Sequence, residues 1–98
     1  MTVSFFQHHD YKGYRVQLGP GSYRLSDLLS KGMRWNNDLS SHRIDSGNYT
    51  IYLYDGDNFT GRSYTTTESI PRYVEINFND KISSIRIVSN SPQPQPPS

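Results

Sequence analysis

Two short segments carry more side-chain oxygen than a simple connection requires. Asn36-Asn-Asp-Leu-Ser-Ser41 and Asn79-Asp-Lys-Ile-Ser-Ser84 each begin with amides or acids and end with two serines. Short oxygen-bearing side chains can cage a hard cation, which takes about six to eight oxygens at about 2.3–2.6 Å. They can equally bond their own backbone and do no more than shape a turn. For one isolated copy the turn is the stronger explanation. Ile85-Arg-Ile-Val88 follows the second segment directly and reads as a strand, so its oxygens stand at the mouth of that strand.

Other chemistry is poorly served. His8-His9-Asp10 suggests a transition-metal site, but neighbours on a strand point to opposite faces and rarely share one ion. Ser, His and Asp all occur, yet there is no Gly-x-Ser-x-Gly elbow and no obvious carboxylate pair, so no enzyme is expected. The absence of cysteine excludes disulfides, thiol catalysis and thiolate zinc sites. Net charge is +1 with Lys and Arg scattered, which gives nucleic acid no basic stripe to bind. No apolar run approaches a membrane span, and Met1 to His9 has no basic start followed by an apolar stretch.

The elements that must position the oxygens are strands. The chain has 98 residues, enough for one domain, and a third of it is apolar, enough for one modest core. Eight tyrosines among the aromatics, with many Thr, Ser and Gly, indicate an all-β chain. Tyr49 to Tyr54 alternates as a strand does. So does Tyr14 to Leu18, with Tyr14, Val16 and Leu18 on one face, while Arg62 to Thr67 resembles a half-exposed strand. One short helix is predicted, with Ser26 as N-cap, Leu28 and Leu29 inward and Gly32 as its stop. Ser91 to Ser98 alternates proline with glutamine and reads as an extended tail or linker; a ligand for a proline-binding domain is the weaker alternative.

The halves repeat. Phe6-Gln-His-His-Asp-Tyr11-Lys-Gly13 and Tyr54-Asp-Gly-Asp-Asn-Phe59-Thr-Gly61 share an aromatic, four residues, a second aromatic, one residue and a glycine. Each is followed by one oxygen-rich segment. Two motifs recurring in the same order predict two folded hairpins and two Greek keys of about four strands each, near residues 2–45 and 48–89, paired as a sandwich within residues 1–90.

This paired pattern resembles a microbial βγ-crystallin domain, over roughly residues 2–89. The resemblance implies two Greek keys in a β-sandwich and a pair of calcium ions, each shared between the motifs. Carried over by position, one site takes the carbonyl of Gln7, the side chain of Asn37, the carbonyl of Asp38 and the hydroxyl of Ser83. The other takes the carbonyl of Asp55, the side chain of Asp80, the carbonyl of Lys81 and the hydroxyl of Ser40. Asn36 and Asn79 open the segments and either orient them or lend a ligand. Lys81 must turn its side chain to solvent. Gly21-Ser-Tyr23 resembles the tyrosine corner of one of the family's motif types. With so few carboxylates, the affinity expected is micromolar to millimolar.

The resemblance further implies a monomeric structural or adhesion module, extracellular or at the cell surface, whose partners are calcium and other domains of a larger protein. The rival is a carbohydrate-binding module of a secreted protein, with Trp35, Tyr52, Tyr54, Tyr64 and Tyr73 as a stacking platform; the alternative for those rings is ordinary packing. His42 occupies the place of Ile85 in the other half and is expected to be an interior or rim histidine, with stability weakening in acid if it is half-buried.

Overall fold

The computed structural model describes residues 2–34, 39–45, 47–78 and 81–90. Alternation dictates the strands: β1 (Val3–His8), β2 (Lys12–Leu18), β3 (Gly21–Tyr23), β4 (Ser41–Ile44), β5 (Tyr49–Gly56), β6 (Thr60–Thr66) and β7 (Ser84–Ser89). One sheet has the order β2-β1-β4 and the other β3-β7-β5-β6, all antiparallel. Registers that set Phe5 opposite Val16, and Leu53 opposite Ile85, align core residues of neighbouring strands on one face of each sheet. Those faces meet in a core of Val3, Phe5, Val16, Leu18, Ile51, Leu53, Ile85 and Ile87.

The halves exchange their third segments. β3 leaves the first half to pair with β7 of the second. In return Ile70 pairs with His42 on β4, through main-chain bonds of 2.9 and 3.0 Å. The second exchanged segment is thus a single bridge, not the eighth strand expected from two keys of about four. Pro71 follows immediately and has no N–H to continue a ladder, while its carbonyl accepts from Asp10 N–H at 2.7 Å.

The helix α1 (Leu25–Ser30) begins two residues earlier than predicted, with Arg24 and not Ser26 at its N-cap. Asp27 turns its carboxylate back to the Arg24 N–H at 3.0 Å, so the cap comes from inside the first turn and not from Ser26. Leu28 is buried but Leu29 is 42% exposed, because successive helical positions diverge by about 100° and one turn cannot aim both at the core. Gly32, with φ of +123°, ends the helix as expected. Tyr23 donates from its hydroxyl to the Gly19 carbonyl at 2.8 Å, the contact that a tyrosine corner requires. Among the described residues no helix is long and apolar enough to cross a membrane.

His42 is fully buried. Its Nε2 meets the Glu68 carbonyl at 2.7 Å, so that nitrogen carries the proton; Nδ1 then accepts from the Tyr73 hydroxyl at 2.7 Å. The neutral ring satisfies both nitrogens with these two partners. Burial pushes the imidazole down from 6.5 to about 4, against the pull of the Glu68 carbonyl. The unfolded chain therefore binds a proton as pH falls through 6.5, whereas the folded chain resists until about 4. The corresponding stability is present above pH 6.5 and is lost on acidification through that window, by about 3 kcal/mol in all. In chelator, urea unfolding from pH 7 to 4 should show this slope in the wild type and a flatter one in His42→Gln. Equal slopes would contradict the assignment.

Candidate metal centre

Each hairpin is bent by left-handed residues that the sequence repeats. Asp10 and Tyr11 sit at φ of 59° and 62°, and Asn58 and Phe59 at 58° and 60°; Gly13 and Gly61 follow at 83° and 77°. Two consecutive non-glycine residues in this region are costly and need support from their surroundings. The aromatics provide part of it: Phe6 and Tyr11 pack at 5.6 Å between centroids, and Tyr54 and Phe59 at 5.7 Å. The glycines are obligatory for space as well as backbone angle. A Cβ on Gly13 would lie 2.8 Å from Gln7 Cβ, and one on Gly61 would strike Asp55 Oδ1.

The last serine of each oxygen-rich segment provides the rest. Ser41 donates to the His8 carbonyl at 2.7 Å and accepts from Tyr11 N–H at 3.3 Å. Ser84 donates to the Gly56 carbonyl at 2.7 Å and accepts from Phe59 N–H at 3.0 Å. One hydroxyl thus closes each bend from inside. Neither serine belongs to the predicted ligand set, although both lie inside the repeated segments, and the recurrence of the second serine was the signal available.

The predicted donors fall beside this scaffold. Ser40 N–H donates to the Phe6 carbonyl and Ser83 N–H to the Tyr54 carbonyl, each at 2.9 Å. Ser40 is therefore next to Gln7 and Ser83 next to Asp55, and both serines are buried, at 5% and 4% exposure. These main-chain bonds join each serine to its own motif. Asp55 accepts from Arg62 N–H through Oδ1 at 2.8 Å, which engages one oxygen of its carboxylate. Lys81 is exposed, and its N–H donates to the Phe78 carbonyl at 3.1 Å. Asn36, Asn37, Asp38, Asn79 and Asp80 lie outside the described residues. The described donors are all hydroxyl or carbonyl oxygens, a set suited to a hard ion such as calcium and not to zinc. Among the described residues no three His, Cys, Asp or Glu side chains gather.

The hairpins also bind the opposite halves. Asp57 in the second accepts from Leu25 N–H at 2.8 Å, and the main-chain donors of Leu25 and Asn58 hold its carboxyl below the ordinary value. Asp10 in the first pairs with Arg72 at 3.2 Å, and that hydrogen bond lowers its carboxyl likewise. The five rings do not form one sugar-stacking platform among the described residues. Tyr73 is buried under His42, and Tyr64 packs inward at 6.2 Å from Phe78; Trp35 lies outside the described residues.

Comparison with known proteins agrees with this architecture. Residues 50–91 match the family model described as Beta/Gamma crystallin. Development-specific protein S of Myxococcus xanthus is 32% identical over 94 residues, which is 96% of this chain and 52% of that protein. The chain thus spans about half the length of the curated relatives it matches. The crystal structure of the N-terminal domain of protein S superposes with a TM-score of 0.84 at 28% identity, covering 94% of this chain and 100% of that one. A betagamma-crystallin domain from Clostridium beijerinckii gives 0.82 at 36% identity, covering 92% and 100%.

The serine closures should be measurable. Ser41→Ala and Ser84→Ala each leave a carbonyl and an N–H without their shared hydroxyl, at a cost of about 1–3 kcal/mol in urea unfolding. Losses below about 0.5 kcal/mol in both would show that the bends hold without them.

Proposed function

The chain belongs to the βγ-crystallin family, and from that premise we propose that it binds two calcium ions that stabilise the fold. One ion takes the Gln7 and Asp38 carbonyls, the Asn37 side chain and the Ser83 hydroxyl. The other takes the Asp55 and Lys81 carbonyls, the Asp80 side chain and the Ser40 hydroxyl. Asn36 and Asn79 orient the two loops. The observation that carries this is the twofold placement of a buried serine beside a hairpin carbonyl: Ser40 at Phe6–Gln7 and Ser83 at Tyr54–Asp55. Crossing of the hydroxyls between motifs follows from the family resemblance, and the exchange of third segments supports it by tying the two halves together.

Ligands drawn from both halves turn binding energy into folding energy. Calcium bound only to the folded chain adds about 2.7 kcal/mol per site at a hundredfold excess over Kd. The role that follows is structural: a non-catalytic module, 1–90, of a larger extracellular or cell-surface protein, with 91–98 as its linker. Its span of about half the curated relatives' length suits a module. A carbohydrate-binding role has less support, since two of its five rings face inward.

Two outcomes test this. Calcium at a hundredfold excess over Kd should raise the melting temperature by about 10 °C or more, and chelator should reverse the shift. A melt unmoved by millimolar calcium, with no heat in a calorimetric titration, removes the proposal. Ser83→Ala should weaken the Gln7 site by about tenfold, the loss of one oxygen donor. If amide shifts respond only around Asp55, each ion belongs to one motif and the crossing is wrong.

A further inference from the structure

We propose that Tyr14 and Arg62 are matching positioning residues for the two calcium loops; this rests on the calcium proposal above. Each follows the glycine of its hairpin, Gly13 or Gly61. Each also reaches the backbone two residues before the first asparagine of a loop. The Tyr14 hydroxyl accepts the Arg34 N–H at 2.9 Å, and Arg34 lies over the Tyr14 ring at 5.0 Å. Arg62 donates from Nη2 to the Asn77 carbonyl at 2.5 Å, and its guanidinium lies 4.6 Å over the Phe78 ring. Arg34 precedes Asn36 as Asn77 precedes Asn79. The equivalent place is thus held twice by different chemistry, once through a main-chain donor and once through a main-chain acceptor.

Arg62 links two parts of one site. Its own N–H holds the Asp55 carboxylate at 2.8 Å, while its side chain holds the Asn77 carbonyl. Asn77 sits at φ of 60°, a conformation that needs support in a residue other than glycine. Fixing the described residues Arg34 and Asn77 in advance lowers the ordering cost of binding, so the grip raises affinity without touching the ion. The charge on Arg62 opposes a nearby cation. The contribution of Arg62 is therefore geometric, through a planar fork with a stacked face.

Tyr14→Phe removes one hydroxyl, and Arg62→Lys keeps the charge but removes the fork. Calcium titration followed by amide NMR, with hydrogen exchange of the calcium-free proteins, reads both loops separately. Tyr14→Phe should weaken the Asn37 site about 3- to 10-fold and speed exchange at Leu39 and Ser40. Arg62→Lys should do the same at the Asp80 site, with faster exchange at Ile82 and Ser83. Exchange in β5 should stay unchanged in both. Variants that titrate as the wild type does would overturn the inference and leave calcium binding intact. Equal losses at both sites, with faster exchange in β5, would show plain destabilisation and overturn it as well. A wild type that shows no calcium shifts removes calcium binding and this inference together.

Discussion

Everything in the molecule depends on an exchange. Each half gives its third segment to the other half's sheet: β3 goes to β7, and Ile70 goes to His42. Around the second exchange, the Ser40 carbonyl accepts from Tyr73 N–H at 2.9 Å, Tyr73 caps His42, and Arg72 pairs with Asp10. Around the first, Asp57 holds the start of α1. A half on its own would expose both an apolar sheet face and an unpaired edge, so neither half is a folding unit.

That exchange decides what the serines can do. A hydroxyl buried beside a strand end must find polar partners. The second serine of each pair finds them in the hairpin, bonding both a carbonyl and an N–H of its own bend. The first serine of each pair lies one residue earlier, just before the strand, with its N–H bonded to the carbonyl before Gln7 or Asp55. Adjacent serines therefore divide the labour: one closes the bend, the other stands where an ion is proposed. The αL residues of the bends are tolerated because the first task is done.

Much of this was legible in the residues. Recurrence of the aromatic-to-glycine spacing gave both hairpins, and alternation gave β5 as a strand and the shared face of Tyr14, Val16 and Leu18 in β2, because both signals are local and strict in period. The helix start was misplaced because Asp27 caps from within, which a Ser-first rule does not anticipate. The eighth strand was overcounted because symmetry of sequence did not register Pro71. The closing role of Ser41 and Ser84 is not legible, because side-chain oxygen in a loop does not show which hairpin carbonyl and N–H it will meet in the fold. His42 could be placed inside by its correspondence with Ile85, but its partners Glu68 and Tyr73 come from the exchanged segment, beyond the reach of local pattern.

If calcium is shared between motifs, the ions complete what the exchange begins: two halves linked by strands at their cores are linked again at the loops. A crystal structure of the protein grown with calcium tests that claim most directly. It should show Ser83 Oγ and the Gln7 carbonyl on one ion, and Ser40 Oγ and the Asp55 carbonyl on the other, all at about 2.3–2.6 Å. Ser83 sharing an ion with Asp55, and Ser40 with Gln7, or density with no cation at either loop, would contradict it.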